Sequence, residues 1–287
     1  MKSTANAAAA GQLVLGVDLT VNRLGFGAMR ITGPGIWGEP PNVPAACRVV
    51  QRAVQLGVNF IDTADSYGPE VSEQLIARAL YPYSPELVIA TKGGLTRPGP
   101  DVWNRNARPE HLRESCEASL RRLRRERIDV YQLHAPDPRV PLAESIGELV
   151  RLQGEGKIRH IGVCNVSLDE LKRAQRLTPI VSVQNRYNLE DRRSDGVLEH
   201  CESEAIAFIP WAPLGSGRHA SAAGEMRTLA RVAERHKVTV GQAAIAWLLE
   251  RSTVMLPIPG TASIQHLEEN IAAASVRLTP EDMHELG

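Results

Sequence analysis

The sequence predicts an α/β fold: a (β/α)8 TIM barrel preceded by a short N-terminal β-hairpin. Three observations carry this expectation. Short apolar runs alternate with stretches of helical periodicity along the chain, which implies parallel strands joined by crossover helices. The alternation recurs eight times, enough to close a barrel. Four polar side chains, Asp62, Tyr67, Lys92 and His134, sit at or just past the ends of such runs. In a parallel barrel those strand ends share one face, where active sites lie.

The elements follow in order. Residues 1–11 are Ala-rich and read as a disordered tail, leaving 12–287 as a single barrel domain. Leu13-Val14-Leu15 and Leu19-Thr20-Val21, joined by a Gly-containing turn, form the hairpin. Leu24 to Ala28 is the first barrel strand, followed by a Gly/Pro-rich loop over 32–41. Pro44 opens a helix through Leu56, because proline suits a first helical turn and Ala46, Val49, Val50 and Ala53 share a face. The second strand ends at Asp62 and its helix covers 71–79. The third ends at Lys92; a polar loop carrying Trp103 and Arg105 leads to a helix over 109–122. The fourth ends at His134 and is followed by a helix over 142–155.

Residues 158–164 form the fifth strand, and Ser167 with Glu170 has capping-box spacing for the next helix. Residues 180–184, 205–210 and 253–257 are the remaining strands. Helices cover 195–203, 225–237, 239–250, 263–274 and the stretch from Pro280. An open doubly wound sheet is the alternative. It needs a glycine fingerprint after its first strand, and Gly25-Phe26-Gly27 lacks the third glycine. Gly154-Glu155-Gly156-Lys157 does not have P-loop spacing.

Composition narrows the function classes. The chain is 43% hydrophobic, and Lys+Arg and Asp+Glu both total 33. That balance argues against nucleic-acid or membrane-surface partners. The arginine-rich run from Arg121 to Arg127 ends a helix, where cations complement the dipole, and reads as solvated surface. The four cysteines, Cys47, Cys116, Cys164 and Cys201, are scattered without metal-ligand spacing, which suits a reducing, cytoplasmic setting with no metal site.

Individually the polar strand-end residues are ambiguous. Lys92 reads equally as half of a barrel-mouth salt bridge with Asp62. Tyr67 alone reads as packing, and His134 as a hydrogen-bonded histidine. Together they can do chemistry. A phenol ionises near pH about 10, and an adjacent ammonium lowers that value. Such a tyrosine can pass a proton to a carbonyl oxygen.

The segments Asp62-Thr63-Ala64 with Tyr67-Gly68, Thr91-Lys92, and Leu133-His134-Ala135-Pro136-Asp137 resemble the motifs of the aldo-keto reductases. The similarity spans residues 21–274, and Val21 to Gly25, Thr32 to Gly35 and Ala79 to Ser84 look most like bacterial pyridoxal-reductase-type members. The resemblance implies an NADPH-dependent carbonyl reductase, with NADH possible. In it Tyr67 is the general acid, Lys92 lowers its pKa, Asp62 anchors Lys92, and His134 orients the carbonyl. Asn165 and Gln184 match the residues that bind the nicotinamide carboxamide, and Trp211 the aromatic stacked on the ring. The remaining cofactor positions are Gly27, Met29, Arg30 and Asp62; the pyrophosphate loop Pro213, Leu214, Gly215, Ser216 and Gly217; and Pro259, Gly260, Thr261, Ser263, His266, Glu269 and Asn270 around the adenosine phosphate. The substrate pocket is expected to be open, touching Tyr67 and His134 and bordered by Arg30, Trp37, Trp103 and the loop after Tyr187. The substrate would be a small carbonyl compound, such as an aromatic aldehyde.

Two other functions remain. One is a cofactor-sensing binding protein on the same fold. The other is a Schiff-base lyase acting through Lys92. Near the expected 2′-phosphate, His266 is the sole side chain of residues 260–270 that can carry positive charge, and only when protonated. NADPH preference should therefore be modest and pH-dependent.

Overall fold

The structure is a computed structural model that describes residues 5–215 and 223–287. Strands β1 (Gln12–Leu15) and β2 (Leu19–Asn22) form the expected antiparallel hairpin. Leu15, Leu19 and Val21 are buried against the start of the barrel interior, beside Phe60, Val88 and Val130. The hairpin therefore closes one end of the barrel. The expectation of a disordered tail over 1–11 is corrected from Ala5 onward. Ala7–Ala10 form a 3-10 helix, whose N-cap Asn6 accepts from the Ala8 N–H. The Ala7 N–H donates to the Leu56 carbonyl at 2.8 Å, and Ala7 and Ala10 are buried. Alanine is small enough for this stretch to lie flat on the end of a helix, and composition alone cannot show that.

The barrel begins with β3 (Phe26–Gly27), α1 (Val43–Gln55), β4 (Phe60–Asp62), α2 (Val71–Leu80) and β5 (Val88–Gly93). A second hairpin, β6 (Leu95–Gly99) and β7 (Val102–Arg105), interrupts the alternation before α3 (Pro109–Leu123). Then come β8 (Ile128–Leu133), α4 (Leu142–Gly154), β9 (Ile158–Cys164), α5 (Leu168–Gln175), β10 (Ser182–Arg186), α6 (Asp195–Ser203) and β11 (Ala207–Trp211). Helices α7 (Ala223–His236), α8 (Val240–Arg251), α9 (Ile264–Ala272) and α10 (Pro280–Leu286) complete it. The expected capping box at Ser167 and Glu170 is present, and Thr239 forms another with Gln242.

Seven strands pair in parallel in the order β11-β10-β9-β8-β5-β4-β3. The eighth expected strand, 253–257, is present only as an irregular segment. Phe208 N–H donates to Val254 O at 2.9 Å, Leu256 N–H to Phe208 O at 2.8 Å, and Gly25 N–H to Pro257 O at 2.9 Å. These bonds join the segment to β11 on one side and to the chain leading into β3 on the other, closing the ring. Pro257 and Pro259 lack N–H donors, so a regular ladder cannot form there.

Side chains alternate along each strand. Ile61, Ile89, Tyr131, Leu133, Ile161, Val163, Val183 and Phe208 pack outward into clusters shared with the helices. Phe60, Val88, Ala90, Val130, Ala207 and Ile209 fill the interior. Two residues beyond these interior positions come Asp62, Lys92 and Gln132. The period that fills the barrel with hydrocarbon thus also aims its last layer of polar groups inward.

Candidate active site

Lys92 is fully buried at the end of β5. Its ammonium donates to Asp62 Oδ2 at 2.6 Å, to the Thr63 carbonyl at 2.9 Å and to the Tyr67 hydroxyl at 3.2 Å. All three of its N–H donors are thereby matched. The other Asp62 oxygen accepts from Gln184 Nε2 at 2.7 Å and Gln132 Nε2 at 3.2 Å. Cys164 donates its thiol to the Gln132 carbonyl oxygen at 3.4 Å. Desolvation is the largest single influence on this buried ammonium and opposes its charge, but the Asp62 carboxylate together with Tyr67 and Cys164 outweighs it, and Lys92 titrates above its ordinary range.

Tyr67 lies one loop beyond β4 and is 6% exposed. Burial pushes its phenol up to about 12, and the Lys92 charge pulls it down without prevailing. This corrects the expectation of a depressed value. Asp62 sits 2.6 Å from the ammonium and cancels much of the field that would stabilise phenolate. His134 stands edge-on to the Tyr67 ring, with centroids 5.8 Å apart. Its Nδ1 is 3.3 Å from the Ser66 hydroxyl. Burial, and then the Lys92 charge, hold its imidazole well below the ordinary histidine value, so it is neutral at pH 7.

The expected cofactor residues divide by position. Asn165, Gln184 and Trp211 come together at the same strand ends. Trp211 Nε1 donates to Asn165 Oδ1 at 2.9 Å, and Asn165 Nδ2 donates to the His134 carbonyl at 2.9 Å. Asn165 has φ +56°, a left-handed conformation that asparagine tolerates well. Met29 and Arg30 occupy the 3-10 helix Ala28–Ile31 directly after β3. Gly27 and Gly260 touch backbone to backbone: a Cβ on Gly260 would collide with the Gly27 carbonyl, and one on Gly27 would lie 2.6 Å from the Ile258 carbonyl. Glycine at both positions lets the segment from Pro259 to Ser263 lie against β3. Ser263 caps α9 by accepting from the His266 N–H, and the Thr261 hydroxyl accepts from Ser263 N–H. His266 is exposed, Glu269 is half-buried, and Asn270 is buried in the second turn of α9. Pro213, Leu214 and Gly215 follow β11. Ser216 and Gly217 lie outside the described residues.

Of the pocket residues, Trp103 lies beside Tyr67, and Trp37 is joined through its backbone to Gly68, the residue after Tyr67. The Trp103 ring centroid lies 6.4 Å from that of Tyr67. Tyr187 faces the other way. It is buried outside the barrel, stacked on Trp247, with its hydroxyl donating to Asp195 at 2.6 Å. The sequence reading missed Gln132, Ser66 and Arg97. Gln132 had a signal: it is two residues before His134 in an inward-facing series. Arg97 had none, because the loop that carries it was not recognised as a hairpin.

The arginine-rich run is spent on the helical shell. Arg122 pairs with Glu73 at 2.6 Å and Glu70 at 3.2 Å, and Arg125 with Asp129 at 3.1 Å. Arg78, Arg121, Arg122 and Arg124 line an open cleft of about 690 Å³ beside α2 and α3, away from the strand ends. Between that shell and the site lies Asp65. It is half-buried overall, but its Oδ1 is enclosed without a hydrogen-bond partner. Burial and then the Glu73 carboxylate raise its pKa from 3.8 to about 7. Folding therefore favours protonated Asp65, and this contribution is lost as pH rises from about 4 to about 7. Asp65→Asn is expected to stabilise the protein by ~1–3 kcal/mol at pH 9, with the gain vanishing by about pH 4. Urea denaturation of both forms at the two pH values checks this; an equal gain at both would contradict it.

A sequence model of the Aldo/keto reductase family matches residues 23–287. An uncharacterised oxidoreductase of Schizosaccharomyces pombe is 48% identical over 279 residues, 97% of this chain and 90% of its own. Pyridoxine 4-dehydrogenase of Escherichia coli is 39% identical over 269 residues, covering 91% of this chain and 92% of its own. Among solved structures, an aldo/keto reductase from Klebsiella pneumoniae in complex with NADP and acetate superposes with a TM-score of 0.81 at 25% identity, covering 96% of this chain and 93% of that one. No helix among the described residues is long and apolar enough to cross a membrane. The family match over nearly the whole chain, with the barrel it folds into, makes this protein an enzyme of the Aldo/keto reductase family.

Proposed function

We propose that this enzyme reduces an aromatic aldehyde, with pyridoxal the first candidate, using NADPH in preference to NADH and Tyr67 as general acid. The observation that carries the reading is the buried array of Asp62, Lys92 and Tyr67, with Lys92 Nζ 3.2 Å from the phenol oxygen and neutral His134 beside it. A phenol raised to about 12 is fully protonated at neutral pH and can donate. With Ser66 donating to Nδ1, His134 would keep its Nε2–H for the carbonyl oxygen. Tyr67 and His134 would then fix the oxygen from two directions, and Tyr67 would deliver the proton to it.

The residues present suit a nicotinamide cofactor. When bound, it supplies the hydride to the carbonyl carbon. Asn165 and Gln184 offer amides that match a carboxamide. Trp211, tied to Asn165, offers an aromatic face beside them. The close backbone approach of Gly27 and Gly260 seats the 259–263 segment against β3, and the start of α9 that follows offers N–H groups that could hold a phosphate. The E. coli relative that acts on pyridoxine supports the substrate choice.

The Schiff-base reading is the weaker one. A nucleophilic lysine must be a free amine, and Lys92 is held charged by three acceptors. Oxidation of NADPH against a panel of aldehydes including pyridoxal tests the proposal. Turnover of pyridoxal no better than of small aliphatic aldehydes would remove the substrate assignment.

Cofactor choice gives a second test. His266 is exposed beside the expected phosphate region, and the fold adds a second cation there: the Arg30 side chain packs against Gly260, its Cγ 3.7 Å from an ideal Cβ at that position. A guanidinium is a permanent cation, whereas an imidazole is the side chain whose charge can change near neutral pH. NADPH should therefore bind more tightly than NADH throughout, by a margin that widens towards pH 6. His266→Ala should flatten the trend and Arg30→Ala should lower the margin uniformly. Dissociation constants from quenching of Trp211 fluorescence decide it. A trend that survives in His266→Ala would remove His266 from the phosphate site.

A further inference from the structure

Arg97 is a buried cation at the barrel mouth whose hydrogen bonds, among the described residues, all go to backbone carbonyls. It is 8% exposed. Nε donates to Val102 O at 2.9 Å. One terminal nitrogen donates to Ile36 O at 3.2 Å and Ser66 O at 3.3 Å, and the other to Gly35 O at 3.2 Å. These carbonyls come from three segments: the turn before Trp37, the loop carrying Tyr67, and the β6–β7 hairpin itself. The guanidinium carbon also lies 3.7 Å from the Trp103 ring centroid and 5.7 Å from that of Trp37.

This arrangement fixes the indoles. One face of Trp103 is covered by the guanidinium at stacking distance. Its ring stands edge-on to Tyr67 and His134, with centroids 6.4 Å and 6.5 Å away. The Trp37 loop is stitched to the Tyr67 loop, with Gly38 N–H donating to Gly68 O, and Arg97 bonds both. The Ser66 hydroxyl, one residue from Tyr67, reaches His134. A single planar cation thus joins the aromatic wall to the loop that carries the phenol. Lysine could not replace it: a point charge cannot donate to four divergent carbonyls while lying flat on an indole.

We infer that Arg97 is a positioning residue that holds Trp103 and Trp37 as a rigid aromatic wall beside Tyr67, and that this wall selects flat aromatic aldehydes over small aliphatic ones. The selectivity half rests on the carbonyl-reductase reading. The physical reason is preorganisation. The indoles are ordered during folding, so an aromatic substrate meets a prepared face and need not order it on binding. A small aliphatic aldehyde cannot cover that face and gains less from it.

The test is steady-state reduction of 4-nitrobenzaldehyde and propanal by wild type, Arg97→Met and Arg97→Lys, with acrylamide quenching of tryptophan measured in parallel. Both variants should lose the preference for the aromatic aldehyde, measured as a ratio of kcat/KM, by at least about tenfold, mainly through KM. Both should also show stronger quenching. Lysine should not rescue, although it restores the charge. A retained preference, or equal losses on the two aldehydes, would overturn the selectivity role. Should neither variant fold, Trp103→Leu, which leaves the bonds of Arg97 intact, should lose the same preference, and its retention would be equally damaging. If the wild type reduces neither aldehyde, the functional reading fails instead. Quenching then decides the wall by itself, and unchanged quenching in the Arg97 variants would refute it.

Discussion

Tyr67→Phe is expected to lose carbonyl reduction by at least about a hundredfold, the scale of general acid catalysis, while NADPH still binds. The substitution removes one hydroxyl from a side chain that is 6% exposed and otherwise packed against Trp103 and His134. The ring contacts survive, and the Lys92 ammonium keeps Asp62 Oδ2 and the Thr63 carbonyl. Single-turnover reduction measured alongside the NADPH dissociation constant separates chemistry from binding. The wild-type rate should also show no loss from phenol ionisation between about pH 6 and 9, because a phenol raised to about 12 stays protonated across that range. Near-normal turnover by the variant would remove Tyr67 as the acid. Loss of NADPH binding together with turnover would point instead to a structural role.

The second large effect is on stability. Asp62 and Lys92 are 2% and 0% exposed and 2.6 Å apart. Removing one member of such a pair strands the other charge in a dry interior. Asp62→Asn keeps the shape and deletes the charge, so it should destabilise the protein by ~3–5 kcal/mol. Its Nδ2 would also face the amide of Gln184 or Gln132, two donors that now meet on Asp62 Oδ1. Replacing both partners, Asp62→Leu with Lys92→Met, leaves no unpaired charge and should recover much of that loss. Urea denaturation of the wild type and the two variants measures it. A single-variant loss below about 1 kcal/mol would mean that the pair is solvated, as exposed pairs are.

Much of the barrel was legible because its signals are local. The helix over 195–203 and the capping box at Ser167 appear where the sequence put them, since caps and a 3.6-residue period are written within a few neighbouring residues. Strands were placed to within a few residues for the same reason. The failures are non-local. The β6–β7 hairpin is short and polar, and Arg97 and Trp103 order it by stacking. The closing segment over 253–257 has the apolar pattern of a regular strand, yet Pro257 at its end and Pro259 just beyond limit it to a few bridging bonds.

The sequence by itself determined which side chains could do the chemistry. Asp62, Lys92 and His134 end apolar runs, and alternation along a strand then commits Asp62 and Lys92 to the barrel interior. Tertiary structure decided how those groups behave. Only the packed barrel brings Gln132 and Gln184 onto Asp62, lets burial outweigh Lys92 in raising the Tyr67 phenol, and sets the Arg30 side chain against Gly260. The physical reason is that residue type and period are properties of a few adjacent positions. Desolvation and electrostatic fields are sums over everything that surrounds a group, and those neighbours come from chain segments far apart in sequence.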